Sequence, residues 1–122
     1  MTTLTDKIAD KLEIQELINK IKNNRNMWHL SPRPKNYKTL STLNMNEDDI
    51  FDKIYKNISL HNYSSRPLSD NHIPPVKGNI WIFGLMINYI NCYLKFQDKP
   101  TGIIMWISIH EQEHPLVFPY LH

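Results

Sequence analysis

The chain has 122 residues, of which 41% are hydrophobic and 21% charged, and its formal net charge is +2. This length is that of one ordinary domain, and the composition is that of a globular rather than a disordered protein. The charge permits a nucleic-acid partner, but it is below the strong basic bias that would by itself indicate one. A single cysteine, Cys92, excludes an intramolecular disulfide.

The N-terminal sequence MTTLTDKIADK is polar and lacks the apolar segment of a signal peptide. The longest apolar stretch, residues 80–90, is too short to cross a bilayer and is interrupted by Asn88. We therefore expect a cytoplasmic protein that does not associate with membranes.

A first helix is predicted over residues 5–24, with Thr5 as its N-cap. Its apolar residues fall mostly on one stripe: Ile8, Leu12, Leu17, Ile18 and Ile21. Pro32 and Pro34 predict a connecting loop over residues 26–36, because proline is not tolerated in a helix interior.

A short helix can follow in the sequence YKTLSTL and end at Asn44, which tolerates the left-handed backbone conformation. The next helix is predicted over residues 47–58. Asn46 can cap it, its first turn is acidic, and Phe51 lies on its apolar stripe.

Residues 59–78 contain three prolines and a glycine and predict a long loop of the kind that often carries function. Three strands are then predicted, over residues 79–86, 89–97 and 102–110, with a C-terminal tail over residues 111–122. The chain is thus predicted to be one α+β domain, with N-terminal helices packed on a small C-terminal antiparallel sheet.

Alternating residue types indicate how the last two strands pair, because a slip of one residue would turn every side chain to the opposite face. The register that joins the apolar sets places Tyr93 near Trp106 and Lys95 near Ile104. The helices should cover the apolar face. The opposite, polar face is then predicted to gather Tyr89, Asn91, Tyr93, Lys95, Trp106, Ser108 and His110.

Such a face has the groups needed to cleave RNA without a metal ion or other cofactor. A histidine such as His110 exchanges protons near neutral pH. Tyr93, Lys95 and Arg66 can complete the proton transfers and stabilise the charged phosphorane. The remaining candidates would bind RNA by stacking, hydrogen bonding or phosphate contact: Tyr63, Tyr89, Asn91, Trp106, Ser108 and Lys77.

A competing motif is HEQEH, residues 110–114, which matches the H-E-x-x-H signature of zinc peptidases. That chemistry requires a helix, because only helical spacing puts both histidines on one face. Here His110 ends a β-rich run and Pro115 disfavours a helix at His114. The context therefore argues against zinc hydrolysis, although it remains an alternative.

Several strings, in order, resemble the MqsR-like toxins of bacterial toxin–antitoxin systems. They are KTLSTLNMNEDDIFDKIYKNISLHNY, NIWIFG, CYLKF and IIMWISIHEQEHPLVFPY, which together lie within residues 36–120. The resemblance implies a RelE-like fold, cleavage of mRNA without a metal, and an antitoxin protein as partner. It also implies a catalytic role for Tyr93, whereas two further positions that matter in the family carry Ser65 and Ile82 here.

Two functions of different class therefore remain open besides zinc hydrolysis. One is a toxin-type endoribonuclease that uses Tyr93, Lys95, His110 and Arg66. The other is a non-catalytic module of the same fold that binds RNA or protein through the polar face or the loop 59–78.

Overall fold

A computed structural model describes residues 6–7, 9–67 and 79–121. Within these ranges the helices are α1 (Lys11–Asn23), α2 (Pro34–Leu43) and α3 (Glu47–Asn57). The strands are β1 (Asp6–Lys7), β2 (Trp28–Leu30), β3 (Tyr63–Pro67), β4 (Asn79–Ile87), β5 (Ile90–Asp98) and β6 (Ile104–Glu111). None of the described helices has the length and apolar character needed to cross a bilayer.

The strands form one sheet in the order β1-β3-β4-β5-β6-β2, in which β1 contributes only two residues at one edge. The pairs from β1 to β6 are antiparallel, and β2 adds to β6 in parallel. The predicted α+β class is confirmed, with helices before the main strands along the chain. The sheet is mixed, however, because the predicted loop 26–36 contains β2.

The first helix begins later than the sequence pattern suggested. Its N-cap is Asp10, whose carboxylate accepts a hydrogen bond from the backbone N–H of Glu13. The prediction of a helix from Thr5 is wrong, because residues 6–7 are in strand β1. An aspartate can stabilise a helix N-terminus both as a cap and by its charge, which accounts for the later start.

The end of α2 and the start of α3 follow the predicted signals, whereas α2 begins at Pro34, within the predicted loop 26–36. Asn44 ends α2 in the left-handed conformation, with φ of 56°. Asn46 caps α3 and forms a capping box with Asp49, in which each side chain accepts from the other's backbone N–H. Pro34 occupies the first turn of α2, where a missing N–H costs nothing.

Two short strands lie where the sequence indicated only loops. These are β2, in the predicted loop 26–36, and β3, at the start of the predicted loop 59–78. The tight turn between β4 and β5 is confirmed, and Asn88 and Tyr89 both have positive φ, as the favoured two-residue hairpin requires.

The predicted register between β5 and β6 is wrong. Tyr93 pairs with His110 and Lys95 with Ser108, but the next pair joins Phe96 to Trp106. Ile107 is therefore an extra residue, a β-bulge that reverses the facing of the strand before it. As a result Trp106 belongs to the apolar core rather than to the predicted polar face.

The core lies between the helices and one face of the sheet and contains a cluster of aromatic rings. The ring centroid of Trp106 lies 4.7 Å from that of Phe96 and 4.8 Å from that of Trp28. Trp28 in turn meets Phe51 of α3 edge-on at 5.4 Å. All four side chains are buried, so this cluster joins α3 to the centre of the sheet.

The bulge is held by the side chain of Asn36, which is 1% exposed. Its amide group donates to the carbonyls of Ser31 and Ile107, at 3.0 and 3.1 Å. Its carbonyl oxygen accepts from the backbone N–H of Ile109 at 2.9 Å. Because β2 ends at Leu30, this amide takes the place of a further strand along the edge of β6.

We expect Asn36→Ala to lower the free energy of unfolding by about 2–5 kcal/mol, because it leaves buried backbone groups of β6 without partners. Urea unfolding followed by tryptophan fluorescence measures this change. Asn57→Ala is the matched control, because Asn57 is exposed and its amide bonds only within α3. Its effect should stay within about 0.5 kcal/mol; equal losses for both variants would contradict this role of Asn36.

The free energy of unfolding should also depend on pH in the alkaline range, because of the buried thiol of Cys92. Burial, with the nearby Glu111 carboxylate, raises the pKa of Cys92 from 9.0 to about 11. The folded state then keeps a proton that the unfolded chain releases, so stability falls as pH rises above 9.0. Unfolding measured between pH 8 and about 10 should show this fall, and Cys92→Ala should flatten it. An unchanged pH slope in Cys92→Ala would refute the assignment.

Candidate functional site

The face of the sheet that points away from the helices is called here the outer face. Paired residues share a face, so Tyr93 and His110 lie on it side by side, with Lys95 and Ser108 in the next row. The rings of Tyr93 and His110 are stacked, with centroids 5.3 Å apart and planes inclined by 21°. The bulge thus brings a phenol, an imidazole and a lysine together on one surface.

His110 is fixed in one tautomer by its surroundings. Its Nδ1 lies 2.9 Å from the carbonyl oxygen of Glu111, and a carbonyl only accepts hydrogen bonds. Nδ1 therefore carries the hydrogen and donates it, and Nε2 of the neutral ring keeps its lone pair. The ring is half-buried, and Nε2 is the nitrogen that remains able to accept a proton.

Burial raises the pKa of the Tyr93 phenol above its ordinary value of 10.0, and the positive charge of Arg33 acts in the opposite direction. Tyr93 is therefore protonated at neutral pH and can donate a hydrogen bond or a proton. Arg33 would stabilise the phenolate left after donation.

Arg33 is a site residue that the sequence analysis missed. Its Nη1 donates to the hydroxyl of Ser108 at 3.3 Å, which brings the guanidinium to the row that also contains Lys95. The available signal was its position between Pro32 and Pro34, which holds the backbone extended immediately before α2. The structure thus places two cations, Arg33 and Lys95, beside the Tyr93–His110 pair.

Residues 112–121, called here the C-terminal tail, cross part of the outer face. Leu116 and Phe118 lie over Gly84, where an added Cβ would come within 2.9 Å of a Leu116 methyl and 2.7 Å of the Phe118 ring. The hydroxyl of Ser64 donates to the carbonyl of Val117 at 2.7 Å. The tail is thus packed on the body, as its apolar composition suggests.

Near its end the tail is also tied to the start of the described chain. The Tyr120 hydroxyl donates to the carbonyl of Ala9, and the Tyr120 ring stacks on Tyr63 with centroids 6.0 Å apart. Nδ1 of His61 lies 2.8 Å from the Tyr120 carbonyl. These contacts anchor the tail at the edge of the sheet away from β6.

Between the tail and the stacked pair lies an open cleft of about 300 Å³. The Tyr93 and His110 rings line one part of it, and Glu113, His114 and Leu116 line the rest. A cleft with aromatic, apolar and proton-exchanging groups suits an unstacked nucleobase and its phosphate.

The other predicted site residues are distributed differently. Arg66 lies on the helix side of the sheet, where its guanidinium is 5.0 Å from the Trp81 ring and pairs with Glu13 at 3.0 Å. Tyr63 and Trp106 are fully buried in the core and present no surface for stacking bases. The prediction that these two residues lie at an RNA-binding surface is wrong. Tyr63 belongs to β3 and packs into the core, and the bulge in β6 turns Trp106 into the core as well.

Tyr89 occupies the β4–β5 hairpin and is 97% exposed, so it stands away from the stacked pair. Asn91 is exposed, and its backbone carbonyl accepts from the N–H of Gln112 at the start of the tail. Ser108 is buried against Arg33. Lys77 lies outside the described residues.

The HEQEH segment does not form the helix that a zinc peptidase requires. His110 and Glu111 belong to β6, and His114 follows in the tail. Among the residues described, no group of three or more histidine, cysteine, aspartate or glutamate side chains is placed to hold a metal ion.

Comparisons with protein-family models, with curated proteins and with solved structures each gave no match to this chain.

We expect Gly84→Val to displace the tail, because the new side chain would occupy the space of Leu116 and Phe118. The loss of packing should cost about 1–3 kcal/mol. Hydrogen exchange should rise in the tail, and not in β6. Asn79→Val is the control, because Asn79 is exposed on the same strand and does not line a cavity with the tail. Unchanged exchange in the tail of Gly84→Val would contradict the packing described.

Proposed function

We propose that this protein is a metal-independent endoribonuclease. The observation that carries the proposal is the stacked Tyr93–His110 pair, with Arg33 and Lys95 beside it, at an open cleft. Cleavage of RNA without a metal needs a base for the 2′-hydroxyl, an acid for the leaving oxygen, and cations for the phosphorane. These chemical types are gathered on the outer face.

In the proposed reaction, Nε2 of His110 accepts the proton of the 2′-hydroxyl. The 2′-oxygen then attacks phosphorus, forming one P–O bond while the bond from phosphorus to the 5′-oxygen breaks. The products are a 2′,3′-cyclic phosphate and a free 5′-hydroxyl. The hydrogen bond from Nδ1 to the Glu111 carbonyl supports this role, because it stabilises the imidazolium that forms.

The leaving 5′-oxygen takes a proton from the Tyr93 phenol in this scheme. Burial disfavours the resulting phenolate, whereas the nearby Arg33 charge favours it. Lys95 and Arg33 neutralise the developing phosphorane charge. Since the rings of Tyr93 and His110 are stacked, the proton on the imidazolium can return to the phenolate through one water, which restores the site.

The biological role that we propose is that of a toxin that cleaves mRNA and is neutralised by a partner antitoxin protein. Its support is the order of sequence strings that resemble MqsR-like toxins, including the CYLK string that contains Tyr93. A RelE-like arrangement of the fold is part of the same proposal. Of the catalytic group expected from sequence, the proposal keeps Tyr93, Lys95 and His110 and replaces Arg66 with Arg33.

His110→Gln should lower kcat on single-stranded RNA by about 10²–10⁴-fold, because it removes the proton acceptor. The assay uses purified protein with a chelator present, and the expected product ends are 2′,3′-cyclic phosphates. His29→Gln is the control, because His29 is exposed on β2 and does not line the cleft. It should retain activity, and both variants should melt close to the wild-type temperature.

Intact RNA after incubation with the folded wild-type protein would refute the proposed nuclease activity. RNA binding without cleavage would instead favour the non-catalytic binding module of the same fold. In cells, induction of the wild-type chain should arrest growth and produce discrete new 5′ ends in mRNA, whereas His110→Gln should do neither. Arrest by both proteins would exclude the proposed mechanism.

A further inference from the structure

A second groove, of about 180 Å³, runs beside the cleft and shares His110 and Glu113 with it. One wall is α2, which contributes Lys35, Lys38, Thr39 and Thr42. The other side contains Glu111 at the end of β6 and Glu113 in the tail, and Ile90 also lines the groove. The groove is therefore divided by charge, with cations on the helix and carboxylates on the other side.

The cationic wall has a regular geometry. Lys35 and Lys38 are three positions apart in α2, so their side chains lie on the same helix face. Thr39 and Thr42 continue this stripe, and their hydroxyls donate to helix carbonyls, so their oxygens remain able to accept. Two exposed ammonium groups in a row suit successive phosphates of an extended strand.

The carboxylate wall is poised to accept hydrogen bonds. Glu113 forms an exposed ion pair with Lys35, and that hydrogen bond and charge hold the pKa of its carboxyl below 4.5. Glu113 is therefore ionised at neutral pH and has oxygens left to accept from other donors. Lys35 and Glu113 together present a donor and an acceptor next to His110.

We propose that this groove holds the stretch of single-stranded RNA next to the cleavage site. Phosphates contact Lys35 and Lys38, and base edges that carry an amino group donate to Glu113. The inference rests on the proposed nuclease function and extends it to a choice of substrate. Continuity of the groove with the cleft at His110, and the division of charge between its walls, are the observations that support it.

The division of charge sets which bases fit. Cytosine, adenine and guanine each carry an exocyclic amino group that can donate to a carboxylate, whereas uracil has none. The uracil edge presents carbonyl oxygens on either side of one N–H, and these oxygens would face Glu113. Cytosine and uracil have the same size, so the two pyrimidines differ at the groove only in this pattern of donors and acceptors.

The first experiment measures binding of fluorescent 2′-O-methyl oligocytidine and oligouridine of equal length. The methyl group removes the nucleophile, so binding is measured without cleavage. Wild-type protein should bind oligocytidine about five- to tenfold more tightly. Glu113→Gln should bring the ratio close to one, because the new amide lacks the charge and presents a donor as well as an acceptor. A change in the net charge of the protein alone would alter the affinity for both oligonucleotides equally, so it would leave the ratio of the two affinities unchanged.

The second experiment measures how binding depends on salt concentration. Each phosphate contact to a single strand contributes about 0.7 to the slope of log affinity against log salt. Lys38→Gln should therefore reduce the slope by about 0.7 for both oligonucleotides and leave their affinity ratio unchanged. Lys56→Gln is the matched control, because Lys56 is exposed on α3 and is not part of the groove.

Equal binding of the two oligonucleotides by the wild-type protein, or a Lys38→Gln slope equal to that of Lys56→Gln, would overturn the inference. The nuclease proposal is judged separately, by cleavage of unmodified RNA. Cleavage without base preference would refute only the proposed role of the groove in base selection. Selective binding without cleavage would refute the proposed nuclease activity and leave the groove as a binding site for RNA.

Discussion

The arrangement of the outer face depends on the three hydrogen bonds made by the buried side chain of Asn36. A β-bulge leaves one residue without a partner in the neighbouring strand, and Ile107 is that residue in β6. Asn36 donates to the carbonyl of Ile107 and accepts from the N–H of Ile109, so these backbone groups at the edge of β6 are satisfied. The side chain of a helical residue thereby fixes the register of the central sheet.

The register in turn decides which side chains meet. With the bulge in place, Trp106 enters the aromatic core while His110 lies against Tyr93 on the outer face. Without it, one of these two residues would have the wrong facing, because side chains alternate along a strand. The bulge therefore serves stability and the site together, and the same α2 segment contributes Arg33, Lys35 and Lys38 to the surface.

Local signals in the sequence were sufficient for the parts of the fold that local physics governs. The capping box at Asn46, the left-handed end of α2 at Asn44 and the β4–β5 hairpin at Asn88 were all predictable, because each depends on a few adjacent residues. The gathering of Tyr93, Lys95 and His110 on one face was expected as well. The reasoning behind that expectation was incomplete, because the alternating residue types in β6 are equally consistent with a strand that has no bulge.

The errors in the sheet register and at the site concern interactions between distant parts of the chain. Nothing adjacent to Ile107 specifies a bulge, because Asn36 holds it from 71 residues away in sequence. Arg66 could not be excluded from the outer face without knowing that it packs on Trp81 and pairs with Glu13. Arg33 was missed because the prolines around it indicated only a loop, and its partner Ser108 is remote in sequence.

The docking of the C-terminal tail has a consequence for the order of folding. The contact between Tyr120 and Ala9 spans 111 residues of sequence, and closing so long a loop is entropically costly until the sheet exists. The tail should therefore dock late and open locally at a lower free energy than global unfolding. Because it forms one wall of the cleft, the site is among the last regions to assemble and the first to open.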